Sequence, residues 1–319
     1  MQKTLAFVLL ALTMSGAVAQ ESYPNRPIRV VVPFPPGSAG DIIARAMAPT
    51  LGELLKQSLV IDDRPGAAGA IAAEVTKRAA ADGYTLMLVT VSSHAINASL
   101  YPNLPYDPVK DFTPIAQCAS SPNVLVLTPQ LAAKNIRELI ALAKAKPGEL
   151  SYGSSGVGTT VHLSGELFNA MAGVKSVHIP YKGASEALTD LVAGRLQFMF
   201  ASLSSSVQMI KTGKLLGLAV TSRERHPALP ELPPMADFLP GFEAVAWYGF
   251  VGPAGLPQPI VEKLNQAIVK SLHLPEVMER LVAVGVDPVS STAKEFDSYI
   301  RSEIPKWAKV VKASGARAE

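Results

Sequence analysis

Short β-branched runs alternate with segments of helical spacing along most of this chain, and two proline-rich stretches interrupt the alternation. IRVVVPF at 28–34 reads as a strand, and residues 41–55 place Ile43, Met47, Leu51 and Leu54 on one helical face. SLVIDD (58–63) predicts a second strand, 69–80 a helix, and YTLMLVT (84–90) a third strand. A βαβαβ start predicts a mostly parallel sheet flanked by helices, because parallel neighbours need a crossover between them.

The first interruption, YPNLPYDPVKDFTP (101–114), is a long irregular connection. Strand character then runs through IAQCASSPNVLVLTP, with helices at 136–146 and 159–172 around the strand LSYGS. From SVHIPY to LLGLAVTS the pattern is β, α, β, α, β. After the second interruption, RERHPALPELPPM (223–235), come the strand AVAWYGFVGPA, two helices within 257–285 and a long helix near 292–312. Two α/β units crossed twice predict two lobes with a ligand cleft between them. Lobe I is expected to be 20–117 plus 225–319, with the final helix packing back on it, and lobe II 118–224. Hinges fall near 112–118 and 221–228, and ligands bind at the carboxyl ends of such strands.

Other features narrow the function. Lys3 precedes TLAFVLLAL, and AVA at 17–19 offers a cleavage site after Ala19, so residues 1–19 read as a secretory signal peptide. The apolar stretch is shorter than the roughly 20 residues of a membrane span, and the residue directly after the cut is Gln20 rather than a cysteine, so no lipid attachment is expected. The expected product is a periplasmic monomer. The one cysteine, Cys118, has no partner and reads as a small buried apolar residue. A formal net charge of +3 over 319 residues gives no footprint for nucleic acid or an anionic membrane. The five histidines form no H-x-x-x-H pair and no C-x-x-C occurs, so no metal is expected. There is no dinucleotide or P-loop fingerprint, so no cofactor is expected either. GSSGV fails as a nucleophile elbow because Val157 stands where glycine is required.

Three glycine-rich loops join a strand to a helix: PFPPGSAGD (33–41), RPGAAGA (64–70) and YGSSGVGTT (152–160). Each delivers free N–H groups at a helix N-terminus, a setting that suits an anion. Hydrogen bonds to a charged group contribute roughly 1.5–3 kcal/mol each, and a helix end about 0.3–1. Four bonds and two helix ends total on the order of 10 kcal/mol, against about 8 for micromolar binding. Backbone donors alone can therefore hold a carboxylate. Asp41 reads as a cap of its own helix, His162 as a hydrogen-bonding residue within its lobe, and His94 lies just beyond a strand end. Trp247, Tyr248 and Phe250 read as a core aromatic cluster.

The order and spacing of YPNRPIRVVVPFPPGSAGD, RPGAAG, ADGYTLML, SSHAINASLY, YDPVKDFTPIA, SYGSSGVGTTVHLSGELF, IPYKGASEALTDLVAGRLQFMF and WYGFVGPAGLPQPIVEKLN resemble the Bug-type, TctC-like periplasmic receptors of tripartite tricarboxylate transporters. The resemblance runs from about Tyr23 to Gly315. It implies an α/β, two-lobed, type II-like binding fold that closes like a flytrap on a small organic carboxylate, mono- or dicarboxylate or aromatic. It also implies delivery to membrane permease subunits or to a sensor kinase. By resemblance, Phe34, Gly37, Ser38, Ala39 and Asp41 form one wall, and Ser154, Ser155, Gly156, Gly158 and Thr159 the other. Ser92, Ser93, His94, Tyr181, Lys182, Ala201 and Ser202 would surround the far end of the ligand. Ser38 stands where the family commonly has glycine, Asp63 where it has asparagine, and Gln197 where it has aspartate. These departures favour a plain carboxylate over an amino acid. The competing reading is an exported serine-dependent hydrolase, which would need Ser155, His162 and a carboxylate in hydrogen-bond reach of one another.

Overall fold

The computed structural model describes residues 23–318, so the leader and the cut after Ala19 lie outside the described residues. The chain opens with β1 (Ile28–Val32), α1 (Ala39–Leu55), β2 (Leu59–Asp63), α2 (Ala70–Lys77), β3 (Thr85–Thr90) and α3 (Asn97–Leu100). It continues with β4 (Phe112–Leu127), α4 (Ile136–Ala145), β5 (Ser151–Ser154), α5 (Thr160–Ala172), β6 (Val177–Pro180), α6 (Ala184–Val192), β7 (Phe198–Ser202), α7 (Leu203–Lys211) and β8 (Leu216–Val220). The last elements are β9 (Val245–Pro253), α8 (Gln258–Leu272), α9 (Pro275–Ala283), β10 (Asp287–Pro288) and α10 (Ala293–Ser314). The spacing-based elements are all present. The sequence carries no signal for the π-helical turn over Ser92–Ile96, or for the two-residue β10.

β1 pairs in parallel with β2 and β3, and β5 with β6 and β7. Val30, Val31 and Val32 have no exposed surface, as expected of a central parallel strand covered on both faces. β4 joins the two sheets and runs antiparallel to every neighbour. Its first part, Phe112–Pro122, pairs with β9, and its end, Asn123–Leu127, pairs with β7. Two register shifts against β9, between Pro114 and Ala116 and between Gln117 and Ala119, mark the first part. The partner change at Pro122–Asn123 coincides with the return of the chain. The Asn123 amide donates to Thr221 Oγ1 (2.8 Å), which itself donates to the Ala244 carbonyl (2.6 Å).

α10 begins with a capping box between Thr292 and Glu295. It packs against β4 and the 92–96 turn and also against α5, so the C-terminal helix touches elements of both sheets. Its buried Glu303 accepts hydrogen bonds from the indoles of both tryptophans, Trp247 (3.0 Å) on β9 and Trp307 (2.9 Å), while Lys306 reaches its other oxygen (3.0 Å). A carboxylate 4% exposed persists only because each oxygen is occupied. Cys118 is free and fully buried. Glu303→Ala would leave two buried indole N–H groups without an acceptor and is expected to cost about 3 kcal/mol. Urea unfolding followed by tryptophan fluorescence measures it, and a loss under about 0.5 kcal/mol, the scale of an ordinary surface change, would assign the clamp no structural weight.

Candidate functional site

The two long loops that face each other are built to one local plan. In the first, Ser38 caps α1 in an extended conformation and its hydroxyl accepts the Asp41 amide (3.2 Å). Asp41 turns back and its Oδ2 accepts the Gly37 amide (2.8 Å). In the second, Thr159 caps α5 and accepts the His162 amide (3.2 Å), and His162 Nδ1 accepts the Gly158 amide (3.2 Å). Gly37 and Gly158 both sit at φ +80°, a left-handed conformation that favours glycine. The capping hydroxyl occupies the third helical N–H, so the first two remain free. These belong to Ala39 and Gly40 on α1, and to Thr160 and Val161 on α5. The pattern G-[ST]-x-x-[DH] in GSAGD and GTTVH is the signal that pairs these loops. RPGAAGA, which matches the first loop in composition, instead forms a 3-10 turn at Ala67–Gly69.

All four of those residues line one small chamber, with about 40 Å³ open to the centre of a water-sized sphere. Thr90, Val91 and Ser92 enter from the end of β3, Gly183 and Ala184 from the start of α6, and Ser202 and Ser205 from the start of α7. Ala246 and Tyr248 of β9 complete the wall. Helix starts thus approach from several sides, and no Lys, Arg, His, Asp or Glu is among the lining residues. The hydroxyl of Ser205 is buried and without a hydrogen-bond partner. Phe34, Pro35, Ser155 and Gly183 also border an outer vestibule of about 870 Å³, which Gly156, Tyr181 and Lys182 line as well. Pro35 and Gly183 pinch the opening, since a Cβ on Gly183 would stand 2.9 Å from Pro35.

The expected site residues divide accordingly. Phe34, Ser38, Ala39, Ser92, Ser155, Thr159 and Ser202 line the chamber, and Gly156, Tyr181 and Lys182 only the vestibule. Burial, and then the hydrogen bond that its hydroxyl donates to Asp190 (2.8 Å), raise the pKa of Tyr181 to about 12. Gly37, Asp41 and Gly158 shape the loops from behind, Asp41 being further held by Arg45, which also pairs with Asp63 (3.0 Å). Ser93, His94, Ser154 and Ala201 are fully buried off the chamber. Ser93 knots the turn after β3 by bonding Thr90 and His94. Burial between Phe112 and Tyr106 pulls His94 down to about 3 and keeps it neutral. Gln197 accepts from Ser151 within the sheet and is not on the chamber, so its identity bears on the sheet and not on a ligand amine. Sequence reasoning missed Thr160, Val161, Ser205 and Tyr248. Tyr248 belongs to the aromatic cluster, but its cavity-facing side was not legible from composition.

The hydrolase geometry is not formed. His162 Nδ1 is engaged by Gly158, and Ser155 has no bond to it. The nearest Ser–His pair, Ser154 Oγ and His178 Nε2 at 2.6 Å, involves a serine with no exposed surface. Among the described residues no cluster of His, Cys, Asp and Glu could hold a metal, and no helix is long and apolar enough to cross a membrane.

Residues 43–316 match the family described as Tripartite tricarboxylate transporter family receptor, TctC. The solved structure of R. palustris Rpa4515 with adipate is 38% identical, with a TM-score of 0.90 over 92% of this chain and 99% of that one. The periplasmic binding protein BugD is 31% identical, with a TM-score of 0.88 over 93% of this chain and 100% of its own. MatC from Rhodopseudomonas palustris, with bound malate, is 32% identical, with a TM-score of 0.86 over 91% and 100%.

Asp41→Ala removes the acceptor of the Gly37 amide and the partner of Arg45. A loss of about 1–3 kcal/mol in stability, with faster amide exchange at Gly37, is expected. Unchanged exchange at Gly37 would show that the carboxylate does not hold the loop.

Proposed function

Because this chain belongs to the tripartite tricarboxylate transporter receptor family (TctC), a family of solute-binding proteins and not of enzymes, we propose that it captures a small carboxylate in the periplasm. The observation that carries this reading is a chamber free of charged side chains and walled by helix N-termini. Such ends present N–H donors and a positive dipole end to an anion. One carboxylate would bridge the free N–H groups of Ala39 and Gly40 and those of Thr160 and Val161. Ser92, Ser202, Ser205 and Tyr248 offer hydroxyls to the rest of the ligand. An ammonium group would find no counter-charge there, since Asp41 faces away into Gly37 and Arg45. This favours a plain carboxylate over an amino acid. The adipate and malate in Rpa4515 and MatC support a dicarboxylate.

We take the two sheets as the cores of two lobes that bend at Pro122–Asn123 and Thr221–Ala244, with the loops at 33–41 and 152–160 as the closing edges. The family implies that the loaded receptor hands its ligand to a membrane permease. A thermal-shift screen of protein unfolded and refolded to remove carried-over ligand tests the class. Ligand at 100 times its Kd stabilises by about 2.7 kcal/mol, and dicarboxylates should give the largest shifts. Response to amides or sugars, with none to carboxylates, would overturn the reading. Gly37→Val places a β-branched residue at φ +80°, a strain of roughly 1–2 kcal/mol, and is expected to weaken carboxylate binding at least tenfold. Unchanged affinity would remove this loop from the site.

A further inference from the structure

The two closing loops share a plan but differ in the group that holds them. On α1 the back-reaching acceptor is the carboxylate of Asp41, and on α5 it is the imidazole of His162. A backbone amide can only donate, so His162 Nδ1 must be unprotonated to accept from Gly158, which leaves the ring proton on Nε2. Gly158 is also where the second loop meets the opposite side. A Cβ there would stand 2.2 Å from Leu100 Cδ2 and 3.5 Å from Ala68 and from Asn97 Oδ1.

We propose that His162 is a positioning residue that seats the second loop only as a neutral imidazole, so that taking up a proton releases the loop and with it the ligand. A proton on Nδ1 would set two donors against each other and push Gly158 off Leu100. The effect on ligand rests on the carboxylate reading above, whereas the effect on Gly158 does not.

The surroundings agree. Glu166 on α5 lies 3.7 Å from His162 Nε2 and favours the charged ring, but Tyr152 on β5 already donates to that same carboxylate oxygen. His178 on β6 stacks on the ring at 4.0 Å and disfavours a second charge. Ala68, Asn97 and Leu100, across the mouth, are uncharged. α10 packs on α5, and its buried Glu303 is taken by Trp247, Trp307 and Lys306. Burial outweighs Glu166 and lowers His162 from 6.5 to about 4, and His178 to about 3. The seated loop therefore binds fewer protons than the released one. Its stability is complete above about pH 6.5 and is lost progressively as pH falls towards 4.

The test uses the full mature chain, with wild type, His162→Ala and His162→Asn compared by amide exchange at Gly158 without ligand. Adipate serves as the probe for Kd between pH 8 and pH 5. His162→Ala should lose protection at Gly158 and raise the Kd about tenfold, the scale of one buried donor left unpaired. His162→Asn, whose amide oxygen can accept from Gly158, should restore most of both. Relative to His162→Asn, wild type should lose affinity as the pH is lowered, a ratio in which the titration of adipate itself cancels. Gly158 exchange that is the same in all three proteins, or an identical pH slope in wild type and His162→Asn, would overturn the proposal. If neither adipate nor any other carboxylate of the thermal-shift screen binds but Gly158 protection still follows the acceptor at 162, the positioning role stands and the carboxylate reading fails. Should His162→Ala not fold, the Asn variant and the pH dependence of Gly158 exchange decide the matter.

Discussion

The rest of the structure depends on the unpaired N–H groups in the first turn of a helix. Such groups must find a partner, and on α1 and α5 a capping hydroxyl satisfies the third, while the residues that carry the first two line the chamber. No Lys, Arg, His, Asp or Glu lines that chamber. What the fold supplies is orientation. Each loop is locked from behind by the third residue of its own helix, and each helix start is set at the carboxyl end of a strand buried in its sheet.

Bringing two such ends together is a task for β4. It is the strand shared by both sheets, and it changes partner from β9 to β7 within two residues. The hydrogen bonds among Asn123, Thr221 and Ala244 tie the outgoing and returning chains at the same level. α10 spans the same junction on the outside, anchored by the carboxylate that binds both indoles.

Much of this was legible in the sequence. Buried parallel strands read as continuous β-branched runs, and amphipathic helices read as 3.6-residue periodicity, so element order emerged with little ambiguity. The second proline-rich stretch lies where the chain returns between β8 and β9, whereas the outgoing passage falls at Pro122–Asn123 inside β4, beyond the first stretch at 101–114. Glycine content singled out the loops at 33–41, 64–70 and 152–160 without saying which two face each other, and the family resemblance supplied the pair 33–41 and 152–160. The reading was weaker wherever a residue faces something distant in sequence. His94 looks like a cleft residue from its place after β3, yet the π-helical turn folds it under Phe112. Tyr248 looks like core and also borders the chamber, and Gln197, whose departure from the family aspartate reads as bearing on a ligand amine, accepts from Ser151 within the sheet.

By itself the sequence determined the α/β alternation and the glycine-rich strand-to-helix loops, because these depend on spacing and on local backbone freedom. Only the tertiary structure decided that Asp41 and His162 turn away from the chamber to serve Gly37 and Gly158, and that Ser205 and Tyr248 turn towards it. Side-chain direction at a helix start depends on what the neighbouring elements leave unfilled. That is a property of packing between segments far apart in the chain.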